Sequence, residues 1–352
     1  MDGGEVHVQI VTYAMQGHIN PMLRLAKGLV AKGLHVVLAT TENGRQRLLN
    51  FKTSITQETM PAKSPTFNLE FFSDGLSNEF DRNKYLDSFF ESPQTVGSKN
   101  LSNLIIDLKA KCNKISCIIT NPFMPWVSGI AAEHDIPSIV LWIQACEVYS
   151  IYCHYFKHPY LFPSLENQDD VVELPDMPII ATALRKSDRP FVWVIKPPEK
   201  GSSKKSGELP SGFLEETKER GLVVKWCPQE KVLMHQAMAC FMTHCGWIST
   251  LETIVAEMPV IAYPEMTYQS IDAKLLVDVL KIGVRMRNGE DEALGAKEVE
   301  RCIMEMTDEM TATHMKKRAT ALKEAAKKAV EDGGSSDQNI NNFINEIKGK
   351  SL

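Results

Sequence analysis

The chain reads as an α/β protein with two parallel, doubly wound sheets. Three observations predict this. Short apolar runs alternate with helically periodic stretches along most of the sequence, the pattern of parallel strands joined by crossover helices. A length of 352 residues with 43% hydrophobic content is enough for two cores rather than one. Finally, Trp226–Gln269 reads as strand, tight turn and helix in succession, with the turn at His244-Cys245-Gly246-Trp247.

In order, Val6–Tyr13 is a buried first strand, and Pro21–Lys32 is a helix with proline near its first position. His35–Thr40 is the second strand. Ile115–Thr120 and Ser138–Trp142 are later strands of the same half, separated by a helix around Val127–Glu133. Proline-rich text near Leu174–Pro178 marks a boundary, giving domains at 1–178 and 179–352. Beyond it come the strands Phe191–Ile195, Leu222–Lys225, Cys240–Thr243 and Val260–Ala262. The C-terminal region is helical and breaks at Gly333-Gly334, with Ser335 or Ser336 as the N-cap of a last helix. Ile340, Phe343, Ile344 and Ile347 form one apolar face of that helix.

Composition removes several function classes. Formal net charge is -5 and no basic run stands out, so nucleic acid is not expected as a partner. Lys204-Lys205, set among Gly and Ser, reads as a solvated loop. No apolar run reaches the roughly 18 residues of a membrane span, and no signal segment precedes the first strand. The eight cysteines lack a paired C-x-x-C frame. Cys117, Cys146 and Cys240 lie in apolar text, which predicts reduced, buried thiols and a cytoplasmic protein.

The chemistry concentrates in two places. A turn entering a helix at Gly246, near Ser249, aims backbone N–H groups and the helix dipole at one point, which suits a phosphate. Trp226 can stack on a base, with a core aromatic as the alternative, and Glu252 can bind ribose hydroxyls, although Ser249-x-x-Glu252 is equally a capping box. In the other half, His18 follows the first strand at the carboxyl edge where open α/β sheets place ligands. A neutral imidazole there can accept a proton; the plainer reading is a surface histidine.

The stretch WCPQEKVLMHQAMACFMTHCGWISTLETIVAEMPVIAYPEMTYQ closely resembles the signature box of plant family-1 UDP-sugar glycosyltransferases. The Trp-x-Pro-Gln opening, the His-Cys-Gly-Trp turn, Glu252 and the Pro259, Pro264 and Gln269 spacing carry the likeness. VHVQIVTYAMQGHINPMLRLAKGLVAKG and NPFMPWVSGIAAEHDIPSIVLWIQAC resemble the N-terminal domain of the same enzymes. The resemblance implies the GT-B fold of two Rossmann-like domains, the first holding acceptor and the second UDP-sugar. It implies transfer of a sugar, glucose by preference, from UDP-sugar to a small phenolic or carboxylic-acid acceptor with inversion. UDP-glucose is then a co-substrate, no cofactor or metal is expected, and the protein is expected to be a monomer.

The same resemblance assigns roles by position. His18 is the general base, and Asn121 stands where an Asp commonly supports it. An amide can orient the ring but supplies no charge, a loss that does not matter for an acceptor already ionised at neutral pH. This fits the branch making glucose esters; locally, Asn121 before Pro122 is equally an Asx turn. Met15, Phe123 and Trp142 would line the acceptor. Trp226 and Cys227 would hold uracil, Gln229 and Glu252 the ribose, His244, Gly246, Trp247 and Ser249 the diphosphate, and Gln269 the sugar.

Departures from the family pattern are specific. Ile248 replaces an Asn, Tyr268 replaces the acid before Gln269, and Glu257 replaces a Gly at a helix end where positive φ is favoured. LPDMPII resembles the middle of the first domain, yet ATALRKSDRPFVWVIKPPEK resembles a segment well inside the second. The end of the N-terminal domain, the linker and the first C-terminal strand thus have no counterpart. That strand is central to its sheet, so either its neighbours close the gap or the sheet is poorly ordered. The rival readings are a degenerate, non-catalytic homologue, a zinc site from His235, Cys240, His244 and Cys245, and an NAD-dependent dehydrogenase. Poor ligand geometry and the absence of G-x-G-x-x-G weigh against the last two.

Overall fold

The six residues HVQIVT of β1 (His7–Thr12) organise the first sheet, and all but one are buried. The structure, a computed structural model, describes residues 5–45, 48, 66–77, 80, 84–112, 114–161, 177–195, 209–265, 268–287 and 295–349. The Lys204-Lys205 loop and most of the proline-rich text before Pro178 lie outside these residues.

β1 pairs in parallel with β2 (His35–Thr41) and, on its other side, with β4 (Cys117–Thr120). β3 (Phe67–Phe72) and β5 (Ser138–Val140) complete the order β3-β2-β1-β4-β5. Strand alternation then fills two cores. Val8 and Ile10 face the helix Gln16–Ala31 through Ile19, Met22, Leu23, Ala26 and Leu29, while Val11 joins a second cluster with Leu101, Ile105, Val127 and Ala131. Each fully buried side chain of this kind, such as Met22 or Leu29, contributes about 1.5–3 kcal/mol.

Two local expectations shift. The first helix begins at Gln16, so Pro21 is internal; the Met15 carbonyl accepts from the N–H groups of His18 and Ile19 and starts the helix earlier. The last helix, Ser335–Gly349, includes Ser335 and Ser336, and Asp337 accepts from the Gly333 N–H. Its predicted apolar face does form: Ile340, Phe343, Ile344 and Ile347 join the core of the first sheet. Lys32 Nζ ties it further, 2.6 Å from Asp337 Oδ1 and 2.7 Å from Asn341 Oδ1.

Contacts therefore group the chain up to Ile143 with the stretch from Asp332, and leave the described residues from Gln144 to Glu331 as a second unit. The division expected at 178/179 moves because Pro178 lies inside the helix Met177–Lys186, and because the terminal helix buries its apolar face on the first sheet.

In the second unit the predicted strands all form, and Gly283–Arg285 (β10) is added. β8 (Phe241–Thr243), β9 (Val260–Ala262) and β10 make a three-stranded parallel sheet in the order β10-β9-β8. β6 (Phe191–Val194) and β7 (Gly221–Val224) make a separate parallel pair. Among the described residues the two sheets share no strand pairing, so the neighbours of the missing central strand have not closed on each other. Phe213, 1% exposed, packs its ring on Phe191 and Trp193 under the pair. Ile261, Val284, Val299, Cys302 and Met306 pack on one face of the triple sheet, and Val260, Ala262, Ala273 and Ala319 on the other. The outer face of the pair leaves Val192, Val194 and Leu222 exposed, unusual for parallel strands.

The seven described thiols are free. Cys117 is buried as expected, but Cys146 is exposed at the start of the helix Cys146–Lys157 and Cys240 is half-buried. Among the described residues no helix is long and apolar enough to cross a membrane.

Candidate active site

In the first unit the strand order reverses between β1 and β4, and the segments leaving their carboxyl ends meet there. His18 lies in the first helical turn rather than in a loop, because the helix starts at Gln16. Its ring centroid is 4.4 Å from that of Phe123, which follows β4, and 6.0 Å from that of Tyr13, which follows β1. Nδ1 is buried without a hydrogen-bond partner among the described residues. Burial pulls the imidazole pKa down to about 4, so the ring is neutral at pH 7.

Asn121 does not orient that ring. Its Nδ2 donates to Thr12 Oγ1 (2.9 Å) and its Oδ1 accepts from the Phe123 N–H (3.0 Å). The side chain is wholly buried in an Asx turn, and that turn carries Phe123 to its place against His18. The role expected from position is thus replaced by the plainer one. Met15 is half-exposed at the start of the helix, with its carbonyl held by His18 N–H (2.9 Å), and Trp142 stands half-buried one strand further out, past β5.

The second unit gathers its predicted residues beyond the carboxyl ends of β7, β8 and β9. Trp226, two residues past β7, is 69% exposed, so it is not a core aromatic. Cys227 follows it, half-buried. Gln229 opens a short helix and its Nε2 donates to Glu252 Oε2 (2.5 Å) and Ser249 Oγ (3.3 Å). Residues twenty and more apart in sequence are thereby joined into one polar cluster. The capping box is not formed, because the helix Trp247–Val255 is capped at Gly246, which puts Ser249 inside its first turn.

The turn itself is tight. Cys245 takes φ +63°, a left-handed conformation costly for a residue with a side chain, and its N–H donates to Thr243 Oγ1 (3.1 Å). A Cβ on Gly246 would stand 2.6 Å from His244 Nε2, so only glycine admits the imidazole this close to the helix N-terminus. First-turn amides of a helix have no partner within it and point at any anion placed there.

Tyr268, Gln269 and Asp272 set the site's inner side. Tyr268 accepts from the backbone N–H of Trp247, occupying the first of those amides. Gln269 is 8% exposed and its Oε1 accepts from the Glu265 N–H (2.8 Å). Asp272, one turn later, is fully buried with neither carboxylate oxygen hydrogen-bonded among the described residues. Sequence reading passed over it, since a charge in a short helix looks like a solvated one. Glu257 does take positive φ (+54°), and its carboxylate is held 2.8 Å from Lys323 and by Thr320, which keeps its pKa low.

Comparison with known proteins gives a consistent result. Residues 170–329 match the family profile described as UDP-glucoronosyl and UDP-glucosyl transferase. UDP-glycosyltransferase 84B1 of Arabidopsis thaliana is 34% identical, over 98% of this chain and 98% of that protein. Gallate 1-beta-glucosyltransferase 84A24 of Punica granatum is 32% identical over 99% of this chain and 90% of its own length, and cinnamate beta-D-glucosyltransferase of Fragaria ananassa is 30% identical over 97% and 83%. The 84B1 alignment runs over 471 positions, so more than a hundred of them have no residue in this 352-residue chain. Among solved structures, TcCGT1 in complex with UDP superposes with a TM-score of 0.81 at 19% identity, covering 98% of this chain and all of that one. Os79 from O. sativa, in complex with U2F and trichothecene, gives 0.77 at 23%, covering 97% of this chain and all of that one.

Proposed function

The chain belongs to the UDP-glycosyltransferase family with the GT-B fold, and on that premise we propose that it transfers glucose from UDP-glucose to the carboxylate of a small aromatic acid, forming a β-glucose ester. The observation that carries the acceptor class is His18: a half-buried imidazole, its buried Nδ1 unpartnered among the described residues, with a pKa near 4 and no acidic support from Asn121. Such a base is too weak to deprotonate a hydroxyl efficiently at neutral pH. A carboxylic acid with a pKa near 4 needs no such help, because it arrives ionised. Relatives named for gallate and cinnamate support the same class.

In this reading Phe123 and Tyr13 pack the acceptor's ring beside His18, with Met15 and Trp142 at its margin. The neutral imidazole orients the carboxylate through an N–H. One carboxylate oxygen attacks the anomeric carbon, the C–O bond to the diphosphate breaks, and UDP departs without proton transfer. Trp226 and Cys227 take the uracil, Gln229 and Glu252 the ribose, and His244, Gly246 and Ser249 the diphosphate, whose developing charge the helix N-terminus stabilises. Gln269 reads the sugar. The residues that hold the diphosphate are N–H and hydroxyl donors, so the leaving charge has its stabilisation without a metal. Because the carboxylate attacks from the face opposite the departing diphosphate, configuration at the anomeric carbon is inverted. We propose further that the lost segment lies between Ile180 and Ala181, and that the protein acts in the cytoplasm as a monomer.

Incubation with UDP-glucose and gallic or cinnamic acid tests this directly. An alkali-labile product heavier than the acid by one hexose residue is expected. Transfer only to phenolic hydroxyls, giving alkali-stable glucosides, would overturn the ester assignment, and no transfer to either class would favour a homologue without turnover.

A further inference from the structure

Asp272 has no role in the reaction just described, yet it is a wholly buried carboxylate beside the donor turn. Every titratable group acting on it among the described residues is itself an acid. Glu147, on the helix Cys146–Lys157, repels it; Cys245, in the turn, and Tyr268, at the start of its own helix, feel its charge in return. The nearest lysine on its helix, Lys274, is taken by Asp278 (2.6 Å), and Glu252 on the neighbouring helix is bonded to Gln229. The helix Glu309–Val330 presents Ala319 and Leu322 to this region, while its Arg318 donates to the Leu280 carbonyl. Arg285 on β10 acts on Cys245.

We infer that Asp272 couples donor binding to proton uptake: when the diphosphate of a UDP-sugar settles at the Cys245–Trp247 turn, Asp272 takes a proton from solvent. The inference rests on the donor site proposed above. A carboxylate with no hydrogen-bond donor and only acidic neighbours among the described residues has nothing there to offset a diphosphate's added negative charge, so the neutral acid is the form compatible with bound donor. Burial already lifts its pKa to about 7, leaving the free protein poised between the two forms at neutral pH. Asp272 is a positioning residue in this account, since it reaches the donor only through the turn.

The test is calorimetric titration with UDP-glucose, whose diphosphate has no ionisation near neutrality, in two buffers of different ionisation enthalpy. At about pH 7 the native protein is expected to take up about half a proton per donor bound, and its affinity to fall about tenfold between about pH 6 and pH 8. Asp272→Asn, of the same shape, should bind with no buffer dependence and a flat pH profile. Glu147→Gln, at an exposed site, should reduce the uptake by removing a neighbouring acid. Binding without proton uptake in the native protein, or uptake that persists in Asp272→Asn, overturns the inference and leaves the donor site standing. Absence of saturable binding at either pH overturns both.

Discussion

Replacing His18 with glutamine separates the two acceptor classes, and its size can be worked from the site. With a conjugate acid near 4, His18 faces a phenol of pKa ~10 across a gap of about six units, or ~8 kcal/mol for full proton transfer. An ordinary histidine near 6.5 would face about 3.5 units, ~5 kcal/mol. A carboxylate acceptor faces no such gap. His18→Gln keeps a side-chain amide able to donate one hydrogen bond, so kcat/KM for an aromatic acid should drop by less than about tenfold, the scale of one modest hydrogen bond. Whatever transfer to a phenol the native protein supports should fall by about a hundredfold, the lower end of general-base catalysis. At saturating UDP-glucose the carboxylate reaction should also be independent of pH from about 5.5 to 8, because neither acceptor nor His18 titrates in that window. The assay is initial-rate glucosylation of a benzoic acid and a phenol of matched size. Equal losses for the two acceptors, or a basic limb near pH 6.5 in the carboxylate profile, would refute the reasoning.

Two other measurements probe the framework. Glu257 has left-handed strain of roughly 1–2 kcal/mol set against its side-chain contacts with Lys323 and Thr320. Glu257→Gly should therefore change unfolding free energy by less than about 1 kcal/mol, whereas Glu257→Ala, keeping the strain and losing the contacts, should destabilise by about 1–2 kcal/mol in urea melts. Hydrogen exchange should show the amides of β6 and β7 opening well before those of β1, because a lone parallel pair with Val192 and Leu222 exposed has less burial to lose. Equal protection of the two would show that the gap in the second sheet is filled in solution.

His18 also sets a direction for stability with pH. Its folded-state pKa lies below the ordinary value near 6.5, so the unfolded chain binds the proton first. The contribution is complete above pH ~6.5 and is lost as pH falls through that value toward ~4. His7, lowered by burial and by the stacked His35 ring, adds in the same direction.

The α/β class, the first-sheet strands β1, β2, β4 and β5, and the strand–turn–helix at Gly246 were all determined by sequence alone. Each rests on local pattern: continuous apolar runs, a glycine where a ring must approach, an apolar face at helical spacing. The family followed from the same box, because many short-range features coincide there. Short strands with little pattern of their own escaped it, as with β10, three residues long, and β3, FNLEFF, whose Glu70 interrupts the apolar run. So did the placement of the terminal helix. Its apolar face was plain, but Ile344 and Phe343 could have covered either core, and only packing decided that they cover the first.

Partner choice was likewise beyond the sequence. Asn121 had two good partners in prospect, and tertiary structure gave its amide to Thr12 and Phe123 instead of His18. Glu252 could cap its own helix, yet the helix starts at Gly246 and Glu252 meets Gln229, twenty-three residues away. Asp272 was one charge among many until burial left it without a donor among the described residues. Local pattern sets what a segment can form, since backbone sterics and side-chain periodicity act over a few residues. Hydrogen-bond partners and protonation depend on which distant groups share a low-dielectric space, and that is settled only when the chain has packed.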